Sequence, residues 1–307
     1  MLRQAINKVK IEGILAEVDI KPTSFSKNGM MVDAIGGKIV VKVVQSIPAK
    51  TPEREFMIPV HMFASKMTNS GRPNPAYESI MKVANEFVSI AAAGSEEGAD
   101  RIRITNANIR MNEYYAPDGR LISFPRINAS FVQKVSQNAE FRPQTSFETE
   151  FMVLSKNEEV DRNGEETGRY HIQAALPQYG GKVDVVDFYG ETPGVVDAIS
   201  TYWEIGNTVK AVGKLDFSSK TEITYEEVDF GEPIEKIRTV SKSDLVITGG
   251  SQEPLEDEAA FAQADIRQAL AERKARLESQ KERDMSNTRQ RQAPPQNTGN
   301  GFADLGF

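Results

Sequence analysis

The chain has 307 residues, with 37 Lys+Arg against 44 Asp+Glu and a formal net charge of -7. That length holds about two domains, each able to bury a core of its own. Cysteine is absent and the only histidines are His61 and His171, which excludes thiolate nucleophiles, disulfides and Cys-ligated zinc and leaves almost no material for a catalytic triad.

The first segment reads as strands interrupted by one helix. In residues 7–20 (NKVKIEGILAEVDI), Val9 and Ile11 share one alternation and Val18 and Ile20 the other. The change of phase near Gly13 to Leu15 predicts a bulged, bent strand. Residues 38–44 (KIVVKVV) form a second strand, with Ile39, Val41 and Val43 opposite Lys38 and Lys42. A third covers 55–64, where Pro59 favours an edge or a bulge. After a loop carrying Arg72, residues 75–92 predict an amphipathic helix with Tyr77, Ile80, Met81, Ala84, Phe87 and Val88 on its apolar stripe. A fourth strand spans 101–115. Ile102 and Ile104 alternate with Arg101 and Arg103, and a slip near Thr105 then puts Asn108, Arg110, Asn112 and Tyr114 on the continuing polar face. The turn APDG (116–119) has hairpin chemistry, and Arg120 leads into a fifth strand at 121–132.

The second segment repeats this order: strands at 146–154, 169–176 and 182–189, a short helix at 193–203, and strands at 206–216 and 221–230. Residues 245–250 (LVITGG) read as one more short strand. Residues 257–284, rich in Ala, Glu, Arg, Lys and Gln with Phe261, Ile266, Leu270 and Leu277 as sparse apolar anchors, predict a helix. Residues 285–300 lack core formers and read as disordered. They lead to an apolar tip, GFADLGF.

Charge divides the chain more sharply than its total suggests. Residues 1–145 carry 19 basic against 14 acidic side chains, and residues 146–254 carry 10 against 21. A basic unit joined to an acidic one predicts a division of labour, with a polyanion held on the first. Glu158, Glu159, Asp161, Glu165 and Glu166 crowd one turn of the second unit, and Glu226, Glu227 and Asp229 its last strand; phosphates are repelled there. That unit is expected to serve as a scaffold, a protein-contact domain or a surface for self-association. Trp203 is expected in its core. No GxxxxGK[ST], HExxH or GxSxG motif occurs, and Asp184 and Asp187 read as strand alternation rather than metal ligands. No catalysis, cofactor or metal is expected. The longest apolar runs fall short of the about 18 residues of a membrane span, and MLRQAINKVK lacks the apolar stretch of a secretory leader, so a cytoplasmic protein is expected.

Five strands with a helix between the third and fourth, occurring twice, is the layout of tandem OB-fold barrels. The expected class is therefore mainly β, with a basic barrel at 1–145, an acidic barrel at 146–254, a helix at 255–284 and a flexible tail at 285–307. NKVKIEGIL (7–15) resembles the opening strand of single-stranded DNA-binding proteins, and GNTVKAVGKL (206–215) resembles the fourth strand of nucleic-acid-binding OB domains. The arrangement is similar to a bacteriophage-type single-stranded DNA-binding protein. This resemblance implies a non-catalytic protein that coats exposed strands in phage replication or recombination, within the host cytoplasm. OB barrels track phosphates with Lys and Arg and stack bases on aromatics. Lys38, Lys42, Arg101, Arg103 and Arg110, on polar strand faces, are the expected phosphate ligands, with Tyr114 and Tyr115 at the hairpin tip for bases; Arg72 in its loop and Arg120 beyond the APDG turn are further candidates. Adjacent strand residues face opposite ways, so one of the two tyrosines is expected to pack inward. Phe302, Asp304, Leu305 and Phe307 resemble the C-terminal tip by which bacterial members recruit replication partners, although that tip is usually more acidic. The reading from a different class is a structural or virion-assembly protein whose barrels make protein contacts and whose helix oligomerises.

Overall fold

A computed structural model describes residues 2–48, 50–161, 163–226 and 234–292. Among the described residues, eleven strands make one continuous sheet that closes on itself twice. In the first half, β1 (Asn7–Lys27) pairs antiparallel with β2 (Met30–Ile47), and β2 with β3 (Lys50–Ser65). β3 then meets β5 (Leu121–Asn128) in parallel at Val60 and His61, β5 pairs with β4 (Arg101–Tyr115), and β4 returns to β1. Strand order 1-2-3-5-4-1 is that of an OB barrel. A two-residue strand, β6 (Gln133–Lys134), extends β4 at its edge.

The second half repeats the circuit with β7 (Gln144–Val160), β8 (Glu166–Pro177), β9 (Val183–Gly190), β10 (Thr208–Glu226) and β11 (Ile234–Gly250). Here β9 and β11 make the parallel contact and β10 closes on β7. The fold is thus mainly β, two OB-like barrels in tandem. They are fused where Asn7–Glu12 of β1 pairs with Gln144–Thr149 of β7.

Several boundaries differ from those read from the sequence. The expected bulge in the first strand is present between Leu15 and Glu17. β1 and β2 run on beyond the barrel as a long hairpin, closed by Asn28 at φ 51° and Gly29 at φ 78°. Two successive left-handed residues are the requirement of a type I′ turn, which Asn-Gly meets at least cost. The expected helix at 75–92 is two: α1 (Pro75–Glu86), capped by the Asn74 side chain on Ala76 N, and α2 (Ile90–Ala93), capped by Ser89. The strands expected at 206–216 and 221–230 are one strand, β10, and LVITGG is the end of β11, which closes the barrel on β9. Backbone pairing from Phe217–Ser243 to Glu226–Ile234 carries the intervening polar stretch SSK (218–220) through as an extended hairpin. Glu227 and Asp229 lie outside the described residues.

The core is continuous through both barrels. Ile80 and Val83 of α1 cover one end of the first barrel core. In the second, Phe151 stacks on Phe188 at 4.7 Å and Trp203 meets Phe151 edge-on at 5.8 Å. Trp203, at the end of α3 (Pro193–Tyr202), is buried as expected and donates Nε1–H to Ser251 O at 2.7 Å. A buried polar knot ties the halves together. Gln45 donates to Thr145 Oγ1 (2.8 Å) and Leu215 O (3.0 Å) and accepts from Thr145 N (2.7 Å). Such a knot, fully satisfied, specifies one arrangement of the barrels.

α4 (Gln263–Gln292) begins and ends later than the expected helix; a short 3-10 turn, Asp257–Ala259, precedes it. Its Ile266, Ala269 and Leu277 are buried, and it lies over β4 and β9, spanning the junction of the barrels. The tip residues Phe302, Asp304, Leu305 and Phe307 lie outside the described residues. Among the described residues, no helix is long and apolar enough to cross a membrane.

Candidate nucleic-acid interface

Alternation along the first barrel dictates which side chains line its outer wall. Ile39, Val60 and Ile127 point inward and are buried, so Lys38, His61 and Arg126 point outward. Register then brings them together. Lys38 stands opposite Asp19 and His61, and His61 opposite Asn128. These residues, with Lys21, Phe63 and Ser130, line an open cleft of ≈ 1010 Å³. Its backbone is unusually close. Gly37 sits at φ +154°, and a Cβ there would come within 2.0 Å of Asp19 O, so only glycine lets β2 approach β1 at this point.

Lys38 is exposed and makes no close ion pair among the described residues, though, after the hydrogen bond and charge of Lys21, its own charge helps to lower the pKa of Asp19 opposite. Arg126 also lacks a carboxylate there. Its Nη2 donates to His61 Nδ1 at 2.8 Å and its Nη1 reaches Asn112 Oδ1 at 3.4 Å. Burial and the neighbouring charges of Arg126 and Lys38 push the His61 pKa down to about 4, so the ring is neutral at pH 7. Guanidinium cannot accept a hydrogen bond, hence Nδ1 is the acceptor and the proton sits on Nε2. Lys21 is paired with Asp19 at 2.8 Å on the surface. Phe63 is 56% exposed and tilts against Phe25 with ring centroids 5.7 Å apart. Beyond them Met30 and Met31 project from the hairpin tip, each 69% exposed. Asp19, bound by Lys21, also feels the Lys38 charge; Lys38 and Arg126 themselves, beside an exposed ring and a neutral N–H donor, suit a phosphate and an unpaired base.

The sequence placed its cations on one shared face, and the structure corrects this. Lys38 alone of them lines the cleft. Lys42 lies between Glu55 and Glu96, its Nζ 2.7 Å from Glu96, with only 15% of its side chain exposed; hydrogen bonds to these two carboxylates raise its pKa. Arg103 is held by both oxygens of Glu12, at 3.1 and 2.8 Å. Arg110 is paired at 3.2 Å with Asp184 of the second barrel. Arg101 lies 5.0 Å over the Phe141 ring, beside Glu96 and Glu97. β4 spreads these residues because its first half pairs with β1 and its second with β5, so one polar face of a strand turns around the barrel wall. Arg72 and Arg120 are exposed but outside the cleft, and Arg120 lies 3.5 Å from Asp118.

The tyrosines separate as strand geometry requires. Tyr114 packs edge-on to Phe124, centroids 6.4 Å apart, on the side of Arg126. Tyr115 turns to the other side, under Lys281 of α4 at 5.6 Å. Sequence reasoning missed Arg126, His61 and Phe63. The signal was there: in LISFPRIN, a buried Ile127 puts Phe124, Arg126 and Asn128 on the opposite face.

The corresponding wall of the second barrel is occupied by its own charges. Arg169 binds Glu159 (2.9 Å), Glu191 (3.0 Å) and Asp244, and lies 4.2 Å over the Tyr189 ring. Lys242 binds Asp244 (2.7 Å) and Asp216 (3.2 Å). Four carboxylates surround two cations, which leaves no positive charge for a phosphate. Asp187 accepts from His171 at 3.0 Å, and Asp184 takes the backbone N–H of Met111 at 3.3 Å. Among the described residues, no cluster of three His, Cys, Asp or Glu forms a metal site.

Among solved structures, the chain is similar to a deletion mutant of the single-stranded DNA-binding protein from Thermus aquaticus, at 10% identity and a TM-score of 0.48, over 83% of this chain and 97% of that one. At that distance the barrel assignment stands on the strand pairing alone. No curated protein matches. The family profile of YorF covers residues 5–283, nearly the whole described chain, and the protein belongs to the YorF family.

Proposed function

We propose that this protein binds single-stranded DNA in the cleft of its first barrel and performs no catalysis. The observation that carries this reading is the placing of two cations that form no ion pair among the described residues, Lys38 and Arg126, beside the exposed Phe63 ring on the outer wall of an OB barrel, where the one lining carboxylate, Asp19, is bound by Lys21. Backbone charge supplies affinity and a stacking ring selects unpaired bases, since every base offers a π-face only when it is out of a duplex. The second barrel, whose cations are internally neutralised, serves as a rigid partner for the first. By this reading the protein coats strands exposed in replication or recombination, and its tip, Phe302 to Phe307, offers a peptide to other replication proteins.

Titration of an oligothymidylate by fluorescence anisotropy at two salt concentrations tests the reading. Binding that weakens steeply with salt is expected. Lys38→Ala with Arg126→Ala should lose tenfold or more in affinity, because hydrogen bonds to a charged group contribute about 1.5–3 kcal/mol each. Lys42→Ala should stay within about twofold, its charge being already spent on Glu55 and Glu96. Absence of binding at low salt removes the proposal.

A further inference from the structure

A second cationic surface lies where the barrels fuse, remote in the register from the cleft. β1, β7 and β10 run side by side there, and their outward side chains enclose a groove of ≈ 240 Å³ that includes Lys8, Lys10, Ser146, Val212, Lys214 and Thr248. The register explains why they converge: Lys8 is opposite Glu148, Lys10 opposite Ser146, and Gly213 opposite Phe147. The carboxylates nearby are accounted for. Glu148 is bound by Lys210 at 2.6 Å, and Glu12, next along β1, is held by Arg103. Lys214 donates to Ser46 O at 2.9 Å, which neutralises no charge. Lys8 and Lys10 are exposed and make no ion pair among the described residues. The groove therefore carries three lysines contributed by both barrels against one carboxylate, Glu148, which is shared with Lys210 and feels the charges of Lys8 and Lys10, in a chain whose net charge is negative.

We infer that this seam is a second contact for the phosphate backbone of a single strand, with Lys8, Lys10 and Lys214 as its ligands. The inference rests on the reading of the cleft as the primary site. β1 links the two surfaces: Lys10 and Lys21 are separated by eleven residues of one strand, roughly 36 Å at 3.3 Å per residue. Of the carboxylates between them, Glu12 and Asp19 are bound by Arg103 and Lys21 and add no free cation. Glu17 repels a phosphate, so a strand engages two separated patches instead of one continuous track. Apart from the exposed Val212, the side chains that reach the surface of the seam are polar or small, and Phe147, the one aromatic ring that lines it, is buried, so the seam holds the backbone without reading bases.

The test uses the full-length protein and an oligothymidylate of about forty nucleotides, longer than the roughly 4–16 that one OB barrel spans. The slope of log affinity against log salt is measured for the wild type, for Lys8→Ala/Lys10→Ala, and for Lys8→Arg/Lys10→Arg. Each phosphate neutralised on a single strand contributes about 0.7 to that slope. The alanine pair should flatten it by about 1.4, and the arginine pair should keep it. A wild-type slope in the alanine pair overturns the seam contact. If Lys38→Ala/Arg126→Ala still weakens binding in that case, the cleft reading stands alone; if the wild type binds no strand at all, both fall.

Discussion

Arg126 Nη2 lies 2.8 Å from His61 Nδ1, and this contact decides which imidazole nitrogen carries the proton in the cleft. Burial together with the Arg126 and Lys38 charges holds the ring neutral, with a pKa of about 4 against an ordinary 6.5. As pH falls through 6.5 the unfolded chain takes up a proton that the folded chain refuses. The stability tied to this site is whole above about pH 6.5 and declines toward pH 4, at no more than about 1.4 kcal/mol per pH unit. Urea midpoints measured from pH 7 to pH 4 should fall less in His61→Gln than in the wild type. A phosphate seated beside Lys38 and Arg126 offsets their repulsion and raises the ring's pKa, so oligonucleotide binding should take up protons near pH 5. Isothermal titration in buffers of differing ionisation enthalpy reads that uptake, which His61→Gln should abolish.

Phe63 stands at 56% exposure, its ring tilted against Phe25 and lying close over Gly36. Replacing an exposed ring removes little from the core, whereas a stacked base contributes roughly 1–3 kcal/mol by alanine substitution. Phe63→Ala should therefore weaken oligothymidylate binding about five- to a hundredfold and leave the salt slope and the thermal midpoint near wild type. A loss of slope would mean that the substitution had disturbed the cations instead.

The helix α4 is locked to the first barrel by Arg273 on Glu113, with both side chains largely buried, and by Gln280 donating to Glu113 O at 2.9 Å. Removing one member of a buried ion pair strands the other, at roughly 3–5 kcal/mol. Arg273→Ala should lower the unfolding free energy by about 3 kcal/mol and open α4 to proteolysis ahead of the barrels. Restoring neutrality with Glu113→Gln in the same chain should recover part of that loss. Equal protease resistance in wild type and Arg273→Ala would show that the helix is held by its apolar face alone.

Much of this architecture could be read before any coordinates. The bulge near Leu15, the strands with their inward Val and Ile positions, the two interposed helices and the core place of Trp203 all follow from local periodicity, which is a property of consecutive residues. The continuity of β10 does not follow from its sequence, because a polar stretch such as SSK is as compatible with a turn as with a projecting hairpin. What separates the two is pairing with Val240 to Lys242, twenty or more residues away. The tandem repetition of elements, the absence of thiol chemistry and the basic and acidic halves are likewise settled by the amino-acid order.

Which cations are free is another matter, and only tertiary structure decided it. Lys38 and Lys42 are four residues apart on the same face of the same strand, yet one meets the open cleft and the other meets Glu55 and Glu96. Arg110 reads as a surface residue of the first barrel until Asp184 arrives from the second, and Arg126 acquires its place only when β5 closes on β3 through Val60 and His61. A charge acts at a distance on whatever the fold brings near it, so a strand's pattern can say which way a side chain points but not which opposite charge it will find there.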